Sequence, residues 1–295
     1  VFAVSVDGQL DLGEGHLSGH FALTYDRTND LFDLAFSEAS WAMAAGGAFV
    51  RVNQASGTMR IDAERRRVGT LTGAVEIGGI GPLAMDATAT VAFNDISGGI
   101  AVTLDGSLAI DGFATIDGEF GVSRQFDAFG ERLLIGAQDA SAVIGPAGAQ
   151  VTVSALDLGL VLSRDAAGEA GYALVAEGRA ALNLGDAITA TATDAMIEIN
   201  TLGRAISEDI DVGGTTPFAM RLDEERAVQR LRLLGASLSV ADIGSVSGNL
   251  EITQVTEKVG VKTRDQLNIG ISQANASLSV GPATLAITDG YAGLM

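Results

Sequence analysis

Val6-Asp7-Gly8-Gln9-Leu10-Asp11-Leu12, closing in Leu17-Ser18-Gly19-His20-Phe21, is a segment that the chain writes more than once. It returns as Leu104-Asp105-Gly106-Ser107-Leu108-Ala109-Ile110, closing in Ile116-Asp117-Gly118-Glu119-Phe120. A third version runs from Ser237-Leu238-Ser239-Val240 to Val246-Ser247-Gly248-Asn249-Leu250. Each version sets a glycine two positions before an apolar residue, among apolar and polar residues that alternate with the period of a half-buried strand. Self-similarity of this kind is the mark of a repeat architecture, and the rest of the chain is read outward from it.

A second block follows in the same order each time. Glu38-Ala39-Ser40-Trp41 matches Asp139-Ala140-Ser141-Ala142 and Ala274-Asn275-Ala276-Ser277. Alternating strands come next, at Phe49-Val50-Arg51-Val52, Val151-Thr152-Val153-Ser154 and Thr284-Leu285-Ala286-Ile287. A third block occurs twice, from Gly81 to Asn94 and from Gly185 to Asn200, and each copy carries Ala-Thr alternation. The division is therefore repeat 1 at 1–103, repeat 2 at 104–233 with insertions around 201–212 and 223–226, and a partial repeat 3 at 234–295. No Pro- or Ser-rich linker stands near 103 or 234, so the copies are expected to share one continuous sheet or core.

Turn chemistry recurs every ten or so residues. It is read from the Asp-Gly pairs at Asp7, Asp105, Asp111, Asp117 and Asp289, from Asp26-Arg27-Thr28-Asn29-Asp30, and from Asp165-Ala166-Ala167-Gly168-Glu169. Short connections imply mostly antiparallel pairing. The expected fold is all-β: tandem imperfect repeats forming an elongated β-solenoid or curled sheet, or sandwich-like modules stacked on one another. The segment 222–234 could be a helix, but it reads better as a hairpin around Asp223-Glu224-Glu225.

Composition narrows the function. A formal charge of −19 and a pI near 4.3, with no basic stripe, speak against nucleic acid as a partner. The absence of cysteine excludes disulfides, thiolate metal sites and cysteine nucleophiles. Residues 144–163 form the most apolar window, but its glycines, Pro146, Gln150 and Asp157, and its alternation from Gln150, argue against a transmembrane helix. Three Tyr and one Trp are too few for the aromatic girdles of a membrane barrel. No secretion signal opens the chain at Val1-Phe2-Ala3, and both ends are read as cuts inside a longer polypeptide.

Ser18-Gly19-x-Phe21, Gly136-Ala137-x-Asp139-Ala140-Ser141-Ala142, Leu158-Gly159-Leu160-Val161-Leu162, Tyr172-Ala173-Leu174-x-Ala176-x-Gly178 and Ile199-Asn200-Thr201-x-Gly203 together resemble the repeat regions of very large bacterial secreted and surface proteins. In such proteins the repeats neighbour calcium-binding or cadherin-like modules. The resemblance covers nearly the whole chain and implies a secreted or cell-surface setting, in which the partners are neighbouring repeats or further copies of the chain.

Candidate chemistry is sparse. Asp105, Asp111 and Asp117 are evenly spaced carboxylates that could hold calcium weakly, although neither an EF-hand loop nor a calcium-binding nonapeptide repeat surrounds them. His16 and His20 would share one strand face and could grip a metal, but the other copies lack them, which favours solvent-facing polar residues. Arg65-Arg66-Arg67, with Asp62 and Glu64, reads as a solvated turn. No nucleophile elbow or phosphate loop occurs, so no enzyme is expected and no cofactor is implied. The expected function is a non-catalytic structural or adhesive segment of an extracellular fibre. The alternative is an envelope protein whose β-groove binds or conducts lipid.

Overall fold

Long runs in which apolar residues alternate with Thr, Ser and Asp can bury one face only as extended chain. The first six strands are β1 (Phe2–Asp11), β2 (His16–Asp26), β3 (Leu31–Ala45), β4 (Ala48–Ile61), β5 (Arg67–Gly78) and β6 (Leu83–Asn94). The next six are β7 (Gly99–Ile110), β8 (Ala114–Asp127), β9 (Gly130–Ile144), β10 (Val151–Arg164), β11 (Ala170–Asn183) and β12 (Ile188–Asn200). The last six are β13 (Ile206–Ile210), β14 (Phe218–Leu222), β15 (Ala227–Val240), β16 (Gly244–Val259), β17 (Lys262–Val280) and β18 (Ala283–Leu294). This computed structural model describes residues 2–294 apart from 12–15, 82, 95–98, 111–113, 128–129, 145–149, 165–167, 184–187, 213–215, 241–243, 260–261 and 281–282.

Sixteen of these strands form one open antiparallel sheet in which each lies beside its neighbour in sequence, β12 passing directly to β15. β13 and β14 form a separate hairpin. There is no helix among the described residues. The all-β reading therefore holds, as a continuous sheet that curls.

The curl has a local cause. β3, β9 and β17 each carry one left-handed residue, Glu38 (φ 52°), Asp139 (φ 53°) and Gln273 (φ 52°). The following strands carry another, Gln54 (φ 51°) in β4, Ala155 (φ 48°) in β10 and Asp289 (φ 53°) in β18. The pairing register shifts at each of these places. Such bulges bend a strand and sharpen its twist. They also place two consecutive side chains outside, as Ser37-Glu38 and Gln138-Asp139 show. The bulges fix the third copy one residue earlier than the sequence match, for Gln273 rather than Ala274 stands where Glu38 and Asp139 do.

Curling brings β3 and β4 against β8 and β9. At the β3–β4 turn, Gly46 (φ 59°) lies where a Cβ would come within 2.8 Å of the Glu131 carbonyl and 2.9 Å of Ser163 Cα, so only glycine lets the layers close there. Between them Leu17, Phe36, Trp41, Phe93, Leu104 and Phe120 are buried in one core that reaches Ile199. Phe21 meets Phe36 edge-on, with ring centroids 5.8 Å apart.

Several expected turns have another identity. Asp7, Asp105, Asp117 and Asp289 lie within strands, and Asp111 lies outside the described residues. Of the glycines after the first three, Gly106 and Gly118 face each other where strands crowd, whereas Gly8, facing Gly19, has open space where a Cβ would stand. A Cβ on Gly106 would stand 2.3 Å from the Asp86 carbonyl.

The turn at Asp26 is present, with Asp26 accepting from Thr28 N at 2.8 Å and Asn29 Nδ2 at 2.7 Å. The arginine run is also a turn, in which Arg66 Nε donates to Asp62 at 2.7 Å and holds that carboxyl below its usual range. Of the expected turn at 165–169, residues 165–167 lie outside the described ones. The expected hairpin at 222–234 is corrected. Leu222 ends β14, which pairs with β13, whereas β15 pairs with β12 and β16, so residues 223–226 switch sheets.

Phe120 is fully buried at the centre of this core. Phe120→Ala is expected to cost about 3–5 kcal/mol, the range for deleting a core aromatic. Urea unfolding followed by the emission of Trp41, the single tryptophan, measures it.

Candidate functional site

The two ends of the insertion meet at one buried side chain. Asn200 Nδ2 donates to the Arg204 carbonyl at 2.8 Å and the Glu224 carbonyl at 3.1 Å, and its Oδ1 accepts from Leu202 N at 3.0 Å. Thr201 Oγ1 accepts from Tyr172 N and donates to the Tyr172 carbonyl, both at 2.8 Å. These bonds lay β13–β14 over the outer face of β9–β11, where Ile206, Ile210, Met220 and Leu222 cover Leu134, Val161, Ala173 and Val175. The Arg132–Glu208 ion pair, 2.5 Å and nearly buried, adds a charged tie. Strands buried on both faces need no alternation, which explains why Leu160-Val161-Leu162 is a continuous apolar run. No helix among the described residues is long and apolar enough to cross a membrane.

Beside the insertion, Arg230 reaches Glu198 at 2.8 Å and also pairs with Glu224, and Arg232 reaches Glu251 at 3.4 Å. Desolvation pushes the Glu224 carboxyl up, but the hydrogen bond and charge of Arg230, with help from Arg232, outweigh it and hold the group below its usual range. A cleft of about 510 Å³ nearby is lined by Asp139, Asp157, Glu177 and Asp194. There partial burial raises the Glu177 pKa, and Asp157, Glu198 and Asp194 raise it further. The described residues hold no group of three or more His, Asp or Glu set to ligate a metal.

The sequence candidates are scattered by the fold. Asp105 and Asp117 stand exposed on the outer face of β7 and β8, where Asp105 pairs in register with Glu119 and Asp117 with Ser107, whose hydroxyl donates to it. His16 and His20 do share a face, but each turns to its own aspartate: His16 lies 3.8 Å from Asp11 and His20 2.9 Å from Asp7. His20 Nε2 also lies 2.7 Å from Ser5 Oγ, completing a Ser–His–Asp chain that the sequence reading missed. Its only sequence signal is the strand register that sets Asp7 opposite His20. The His20 and Asp7 side chains are 47% and 89% exposed on an open sheet face, where water competes for every hydrogen bond. Nucleophilic catalysis requires preorganised oxyanion donors in a water-excluded site, and this face supplies no such enclosure.

A further feature is apolar. Three cross-strand ladders correspond rung by rung: Leu10–Leu17–Trp41–Val52, Leu108–Ile116–Ala142–Val153 and Leu238–Val246–Ala276–Ile287. In the first two, the rungs from the second strand onward are buried. In the third, Leu238 and Val246 are each 41% exposed and Ile287 is 52% exposed. Further rungs, Leu231–Ile252–Ile269–Leu294 and Leu233–Leu250–Ile271–Ala292, complete an apolar face on β15–β18. Where it joins the core it forms an open trough of about 310 Å³ lined by Val151, Ala180, Ala192, Leu233, Leu238 and Val246.

Compared with protein families, with characterised proteins and with solved structures, the chain matches none.

Removing Arg230 leaves Glu198 and Glu224 without their main partner, so Arg230→Met is expected to cost about 3–5 kcal/mol in urea unfolding, as for other broken buried pairs. For Glu177 the sign is opposite. Its raised pKa means that the folded state releases this proton later than the unfolded chain does. The resulting penalty is absent below the ordinary value of 4.5, sets in as pH rises through it, and persists at neutral pH. Glu177→Gln is therefore expected to raise Tm by about 1–2 °C at neutral pH and to leave it unchanged at pH 3, a shift sized for a solvent-screened group.

Proposed function

We propose that the chain is a non-catalytic structural or adhesive segment of an extracellular surface fibre or filament, akin to the repeat regions of very large bacterial surface proteins that its sequence resembles. The observation that carries this reading is the ladder built three times in register within one open sheet. Each unit presents its backbone edge and one apolar face to the next, so the design adds length by adding units. Neighbouring repeats and further copies of the chain are the partners this calls for. The acidic surface keeps such a surface-exposed polymer soluble.

A second reading, an envelope protein that carries lipid in a β-groove, draws on the open apolar trough beside Leu238 and Val246. The fibre is favoured because, among the described residues, the core bounded by β2–β12 is filled by its own side chains, Trp41, Phe93 and Phe120 among them.

Immunogold electron microscopy of the source cells, with antibody raised to this chain, separates the two. Label along external fibres or a surface layer is the expected outcome. Label confined to the space between membranes would overturn the fibre in favour of lipid carriage.

A further inference from the structure

We propose that the β13–β14 hairpin is a lid that lifts from the outer face of β9–β11 as one body while the large sheet beneath it stays intact. The connections permit this. The two strands form a sheet of their own, and β12 pairs with β15 from Ile188 and Val240 to Asn200 and Val228, straight across the point of insertion. The large sheet is therefore complete without the hairpin. The first copy is built that way: β6 pairs with β7 from Leu83 to Asn94, and only residues 95–98 join them.

The face beneath is made for its cover. Gly121, Gly136 and Gly159 stand side by side across β8, β9 and β10. A Cβ at Gly136 would come within 2.7 Å of Val212 Cγ1 and 2.8 Å of the Asp211 carbonyl, and one at Gly159 within 2.8 Å of Ile210 Cδ1 and 2.9 Å of Phe218. Aligned on the bulges at Glu38 and Gln54, the first copy has Ala35 and Thr58 where those two glycines stand, and Asp33 and Arg60 in place of Leu134 and Val161. Asp33 and Arg60 are exposed and form an ion pair at 2.7 Å. The same sheet thus carries one outer face built for water and one built for the hairpin.

What holds the lid down is separable from what holds the sheet. The apolar contacts under the hairpin form a cluster apart from the main core. At its margin stand the Arg132–Glu208 and Arg230–Glu224 pairs, whose desolvation offsets much of their attraction and whose partners water replaces on opening. Arg230 Nε is buried without a hydrogen-bond partner, a cost that opening relieves. Asn200 and Thr201 hold the stem instead, where residues 201–205 and 223–226 leave and rejoin the sheet, which makes the stem the hinge. An element with its own small core and no ladder shared with its support opens as a unit at a lower free energy than the support unfolds. The open form uncovers Leu134, Val161, Ala173 and Val175, so the lid governs when this apolar strip meets solvent.

Opening is a property of the isolated chain and is the same whether the protein builds a fibre or carries lipid. Because the chain has no cysteine, one substitution supplies a unique thiol. Ala173 and Ala176 both lie on β11 and are fully buried, Ala173 under the hairpin and Ala176 in the main core. In native buffer the Ala173→Cys thiol is expected to react with a soluble maleimide at least about tenfold faster than the Ala176→Cys thiol, at a rate that low urea scarcely changes because little surface is exposed. Adding Glu208→Gln is expected to speed the first reaction at least about threefold and to leave the second unchanged. Val161→Cys against Leu160→Cys, which removes atoms where the alanine pair adds one, is expected to show the same order. Unchanged Trp41 emission verifies that the variants fold. Equal rates in either pair, including no reaction of any thiol, overturn the proposal, because the hairpin then leaves only when the sheet unfolds. So does an Ala173→Cys thiol as reactive as that of the urea-unfolded chain, because the hairpin is then not seated.

Discussion

The bend that runs across neighbouring strands is the constraint on which this molecule rests. A flat antiparallel sheet of this width would show both faces to water, and its one-sided apolar pattern would go unsatisfied. Paired bulges at Glu38 and Gln54, at Asp139 and Ala155, and at Gln273 and Asp289 turn a local irregularity into a crease shared by two adjacent strands. The residues just past each crease pair across it: Ala39 with Ala55, Ala140 with Leu156, and Ala274 with Gly290. Small residues dominate these positions because the inside of a bend leaves little room. Each left-handed non-glycine residue costs about 1–3 kcal/mol, so the creases persist only because the burial they permit outweighs that strain. Over β15–β18 no facing layer is present among the described residues, and the strain at Gln273 and Asp289 is offset there by less burial.

The single insertion changes the balance in the middle of the sheet. In the first copy, Asn94 at the end of β6 leads through residues 95–98 to β7, whereas Asn200 at the end of β12 opens the excursion that carries β13 and β14. The same amide that ends a strand in one copy organises both ends of an extra layer in the other. β9–β11 are thereby sandwiched between the curled core and the hairpin, and the buried ion pairs collect at that border and not on the open faces. Charge buried in this way specifies where the hairpin sits more than it stabilises the sheet, since its desolvation offsets much of its attraction.

The alternation of Ile188-Thr189-Ala190-Thr191 and the repeated glycine segments were enough to read an all-β, antiparallel chain of repeated strands. The creases were equally present in the sequence, as consecutive polar residues that interrupt the alternation at Ser37-Glu38, Asn53-Gln54 and Gln138-Asp139. Asp-Gly pairs misled because the same two residues suit a tight turn and a crowded strand crossing, and only the register of Gly106 against Gly118 separates these uses. Residues 144–163 looked like a membrane candidate because the second apolar face of β10 is covered by a hairpin whose partners lie about 50 residues further along, a pairing that no local window contains. The site was the least readable part. Val52, Val153 and Ile287 are interchangeable in sequence, and whether such a rung is core or surface depends on the layer that the rest of the chain lays over it.

That dependence has a consequence for how stability is distributed. From β9 to β11 the molecule is three layers deep, over β3 and β4 it is two, and over β16–β18 it is a single sheet held by backbone pairing and ladders open to water. Opening free energy follows buried contact, so cooperative protection should be greatest at the centre and fall toward β18. The acidic groups that push on one another around Glu177 lie on the outer face near the thick region, where the surrounding packing can hold the repulsion without local unfolding. A single-layer end carries no such reserve. Its hydrogen-bonded rows are backed by no second apolar layer among the described residues, so their protection rests on backbone pairing and on the packing of each rung against the next.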